Sequence, residues 1–161
     1  MDLYSLLILG HIIGTSLGLG GSVIAEAQIG RALKDKKVSE DERALMHANY
    51  FLIRVGLVFI VLSGIGLIFW HLTQGSGQEL HIDKLFAKAV MISVILINAV
   101  LLIRHLVPLW LGASLSFTSW LGATVLGAWR GVPFSFLELM AGYAVAIFLF
   151  AYILNYLRTR A

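Results

Sequence analysis

The sequence predicts an all-α integral membrane protein: a single five-transmembrane-helix bundle over residues 1–161, N-terminus outside and C-terminus cytoplasmic. Three observations predict it. Hydrophobic residues make up 59% of the chain and charged ones 13%, with a mean hydropathy of +0.89; a soluble domain carries about 25% charged residues. Apolar runs of about 20 residues, the length that crosses a hydrocarbon core, recur five times. Basic residues gather on alternate connections, as cytoplasmic loops do. Arg31, Lys34, Lys36, Lys37 and Arg43 fill the first, Arg104 ends the third helix, and Arg158 and Arg160 close the chain, against Lys84, Lys88 and Arg130 opposite. The expected location is the cytoplasmic membrane of a prokaryote.

The first helix is expected over about 3–29. "MDLYSLL" lacks the basic region of a signal peptide, so this apolar run is expected to be retained. The second apolar run, 50–73, is preceded by "VSEDERALMH", where Ser39 and Glu42 form an S-x-x-E capping box with acids in the first turn. The helix therefore starts near residue 40 and runs to 73. A turn, "QGSGQ", leads to a third helix over 84–105, with Asp83 as its expected cap. The fourth, 114–130, is the weakest: short, rich in Gly, Ser and Thr, and a candidate for a tilted or half-inserted segment. The fifth, 136–157, repeats the capping device with Ser135 and Glu138.

Composition excludes several chemistries. The chain has no cysteine, which removes disulfides, thiolate-held iron–sulfur clusters and covalent c-type haem. A net charge of +3, concentrated in loops, does not point to nucleic acid. No nucleotide or flavin motif is present.

Ionisable residues at membrane depth are functional candidates, since each costs about 2.5–3.5 kcal/mol to insert. His11 lies seven residues below Tyr4, about 10 Å into the outer half of the bilayer. Its face continues through Gly14, Gly18, Gly21 and Ala25, one narrow line of small side chains. Two readings stay open. Small-xxx-small patterns pack helices, which explains the glycines alone. A porphyrin lying in the groove beneath an axial histidine explains the glycines and His11 together. A second axial ligand would then stand at similar depth: Lys88, one turn into the third helix, or His71 at the outer end of the second. Their plain alternatives are a snorkelling lysine and an interfacial histidine beside Trp70; His81 reads as solvated.

At the inner end, Glu26 and Arg54 fall at matching depth on neighbouring helices and suggest a structural ion pair. His47 and His105 are candidates for a second, inner haem site, or for headgroup contacts. Asn98 reads as an interhelical hydrogen bond. Four methionines without cysteine leave a metal-transport reading open.

"LGHIIGTSLGLGG" and "DKLFAKAVMISVILINAVLLIRH" resemble helices of the HemJ-type protoporphyrinogen oxidase and copper-resistance protein D-like group, over roughly helices one to three. The resemblance implies haem b binding, with the helix-one histidine role on His11 and the lysine role on Lys88. The expected function is therefore a b-type haem protein of the membrane. It would exchange electrons with a quinone or a redox protein, as a homo-oligomer or as a subunit of a larger complex. A protoporphyrinogen oxidase and a cofactor-free assembly subunit are the alternatives.

Overall fold

A computed structural model describes residues 1–35, 38–74 and 81–160. It holds five helices, α1 (Leu3–Asp35), α2 (Glu40–Thr73), α3 (Ile82–Ile103), α4 (Leu109–Ala128) and α5 (Phe136–Arg160), and no strand among the described residues. All five are long and apolar enough to cross a membrane. At 33 and 34 residues, α1 and α2 measure about 50 Å, well beyond the roughly 30 Å of a hydrocarbon core. The outward faces are apolar: Phe51, Leu62, Phe69, Phe86, Leu137, Val145 and Phe148 are all exposed, as contact with a lipid bilayer requires.

The helix ends follow local chemistry. Asp2 caps α1 by accepting from the Ser5 amide at 3.0 Å, and the Ser5 hydroxyl, with that amide, holds its carboxyl below the usual carboxylate range. The Ser39–Glu42 capping box forms as expected: the Glu42 amide donates to Ser39 Oγ at 3.2 Å, and the Ser39 amide to Glu42 Oε2 at 2.9 Å. Ser135 and Glu138 repeat it, the Ser135 amide donating to Glu138 Oε2 at 2.8 Å. Most of the "QGSGQ" turn lies outside the described residues. Asp83 does not cap α3; it sits in the first turn, and His81 occupies the cap position with no side-chain bond. α3 also stops before residue 105. His105 has φ 55°, and the turn closes with Leu106 N–H to Leu101 C=O at 2.9 Å and His105 N–H to Leu102 C=O at 3.1 Å, a Schellman ending with histidine where glycine is usual.

α4 corrects the expectation most. It starts at Leu109, not 114: Pro108, extended at the cap position with ψ 143°, accepts at its C=O from the Leu111 and Gly112 amides, both at 3.1 Å. Far from being peripheral, α4 is the centre of the bundle, packing on α1, α3 and α5. Trp120, Ser114 and Ser119 on it are fully buried. Its hydroxyls are satisfied within the helix: Ser114, Thr118, Ser119 and Thr124 each donate to the carbonyl four residues back at 2.6–2.8 Å. Ser119 also bonds the Tyr143 hydroxyl of α5 at 2.6 Å. α1 and α2 pack closely along their length, whereas the backbones of α2 and α3 do not approach each other.

Candidate functional site

His11 is half-buried on α1, and its Nδ1 lies 2.9 Å from Ser63 Oγ of α2. The Ser63 hydroxyl has one proton and donates it to Phe59 C=O at 2.6 Å. The arrangement that keeps both Ser63 contacts has Nδ1–H donating to Ser63 Oγ, which leaves Nε2 as the acceptor nitrogen of the ring. Lys88, half-buried on α3, stands within electrostatic reach of the ring. One turn above it, Lys84 is occupied, donating from Nζ to Trp129 C=O at 2.7 Å. His71 is further engaged: Nδ1–H donates to Leu67 C=O at 2.8 Å, and its ring meets Tyr4 edge-on with centroids 6.1 Å apart.

The small-residue line below His11 exists, but protein fills it. A Cβ on Gly14 would stand 2.7 Å from the Ile60 nitrogen and 2.8 Å from Gly56 oxygen, backbone atoms that cannot give way. Gly18 lies directly under the six-membered ring of Trp120, and a Cβ on Gly21 would stand 2.5 Å from Ile53 Cγ1. The Gly14, Gly18 and Gly21 groove expected to receive a macrocycle is thus a seam between α1, α2 and the indole of α4. Trp120 was the missing partner. It reads in sequence as one more packing or interfacial aromatic, and nothing local ties it to a glycine a hundred residues earlier.

His47 and His105 do come together, on the walls of a single cavity of about 500 Å³ at the end of the bundle that carries the α1–α2 connection. Arg54 and Tyr50 of α2 line it too, with an apolar floor that includes Leu57, Ile95 and Trp120. Glu26 is buried and acts electrostatically on Tyr50, and Arg54 is exposed on the cavity lining. Asn98 bridges α3 to α4 as expected, donating from Nδ2 to Gly112 C=O at 2.6 Å and to Ser116 Oγ at 2.8 Å. Asn49 does the same between α2 and α1, donating to Gly21 C=O at 2.9 Å; its place beside "HANYF" drew no attention in sequence. Among the described residues no three His, Asp or Glu side chains converge as a metal-binding group.

No protein-family model, no curated protein and no solved structure matches the chain.

Proposed function

We propose that the chain is a b-type haem-binding integral membrane protein of the electron-transfer class, with His11 as an axial ligand. The observation that supports this most is the Ser63 contact. It fixes the imbalance between the two ring nitrogens, so Nε2 presents a lone pair within the bundle, as the outer-shell partners of ligating histidines do. Lys88, within electrostatic reach of the ring, and His71, oriented by its Nδ1–H on Leu67 C=O, are the candidates for the second ligand or a propionate partner. The donor set fits the group; the expected cradle does not, and a macrocycle held at His11 has to lie off the glycine line. Haem bound there supplies one-electron chemistry, exchanged with a quinone or a redox protein. The chain's own part is to hold the ring, fix its tautomer through Ser63 and shield it among α1, α2 and α3.

The filled seam favours a second reading, an assembly subunit without cofactor. The test is the reduced-minus-oxidised spectrum of protein purified in detergent from haem-sufficient cells. A Soret band and an α-band that His11→Ala abolishes, and that Ser63→Ala weakens by about tenfold in haem occupancy, support the haem reading. A colourless protein, or a band indifferent to His11→Ala, overturns it. Gly18→Leu disrupting the fold while His11→Ala is silent supports the assembly subunit.

A further inference from the structure

The cavity shared by His47 and His105 uses none of the residues of the His11 site, and of the two readings open for these histidines, an inner haem or a headgroup, its lining favours the second. It lies between α2 and α3, whose backbones stand apart and whose side chains Leu57, Ile60 and Ile95 meet only deeper in the bundle around Trp120. Phe51 and Ile103, both more than half exposed, line it and mark the mouth. About 500 Å³ is the size of a ligand site, and the floor is apolar. The ionisable groups on its lining that carry charge near neutral pH are all basic. Arg54 carries a permanent positive charge, His47 and His105 add two imidazoles, and no carboxylate lies on the lining.

Trp120 seals the floor of the crevice. The indole and the guanidinium are near one level. Trp120 packs on Gly18, Gly18 abuts Gly56, and Gly56 is two residues along α2 from Arg54, about 3 Å of rise.

We propose that this crevice binds an anionic phospholipid. The phosphate engages Arg54 with His47 and His105, and an acyl chain lies over Leu57 and Ile95. A basic pocket between helices is the arrangement by which membrane proteins hold anionic headgroups, and a sideways mouth admits a molecule already in the bilayer. His105 is consistent with such a role: a C-terminal turn that glycine would close without strain keeps an imidazole there, on the cavity wall.

The test is native mass spectrometry of the full chain, delipidated and incubated with phosphatidylglycerol or phosphatidylcholine. Phosphatidylglycerol is expected to be retained about fivefold over phosphatidylcholine, a preference of the size one surface cation supplies. Arg54→Gln, an exposed position, should erase that preference, and Ala99→Phe on the lining should reduce retention of both. Excess inorganic phosphate should leave the lipid bound, since the acyl chain contributes. Equal retention of the two lipids, a preference that survives Arg54→Gln, or release by free phosphate overturns the proposal. So does displacement of phosphatidylglycerol by a quinone or by a porphyrin at equal concentration. If Ala99→Phe does not yield folded protein, Arg54→Gln decides alone.

Discussion

Gly18 and Gly20 stand two residues apart in one helix and make opposite demands. A Cβ at Gly18 collides with the Trp120 ring, which is fully buried and cannot move aside; a Cβ at Gly20 meets nothing within 4 Å. Gly18→Val should therefore cost about 1–3 kcal/mol, the scale of overpacking a filled core, seen as a lower midpoint in thermal unfolding of the detergent-solubilised protein. Gly20→Ala should raise that midpoint, by about 0.5–1 kcal/mol of stability, because alanine suits a helix interior better. If Gly18→Val is tolerated like Gly20→Ala, the indole does not occupy the seam. At this scale the sequence showed which residues mattered and not what they touch. The spacing 11, 14, 18, 21 marks one face of α1 without ambiguity. Ser63 and Trp120, which give that face its meaning, come from α2 and α4 and carry no local signal.

Whole helices were more legible where their ends are written in side chains than where burial decides. The two S-x-x-E boxes formed as read, and Ser39→Ala should loosen the start of α2 by about 1 kcal/mol. Faster hydrogen exchange confined to the amides around Glu42 would report it; a change spread over the whole helix would not fit a lost cap. His105→Gly makes a sharper prediction. Removing the side chain from a residue at φ 55° relieves about 1 kcal/mol of strain, so the variant should melt higher while retaining less phosphatidylglycerol. α4 reads in sequence as the weakest of the five helices because its hydropathy is the lowest. Here its serines and threonines bond their own carbonyls and its small residues let α1, α3 and α5 close in, so its neighbours, not lipid, are its solvent.

For the molecule as a whole, hydropathy and basic residues are enough to expect five helices and a sidedness, but not which helices are neighbours. Chain order suggests α2 beside α3; the structure puts α4 against α1 and leaves the backbones of α2 and α3 apart. The absence of native cysteine makes sidedness directly measurable. Ile82→Cys and Arg43→Cys place single thiols at exposed positions near opposite ends of the bundle. An impermeant maleimide should label the first in intact cells and the second only after permeabilisation; the reverse pattern would invert the orientation.

The central place of α4 also bears on how the protein is made. A ribosome delivers α1, α2 and α3 before it delivers the helix they surround, so for most of synthesis the notch at Gly18 stands open and the polar side of Asn98 has neither Gly112 nor Ser116 to bind. Nascent chains arrested before residue 109 should consequently be held by membrane chaperones or degraded, and those arrested beyond α4 should be protected from protease. The keystone of this bundle arrives fourth.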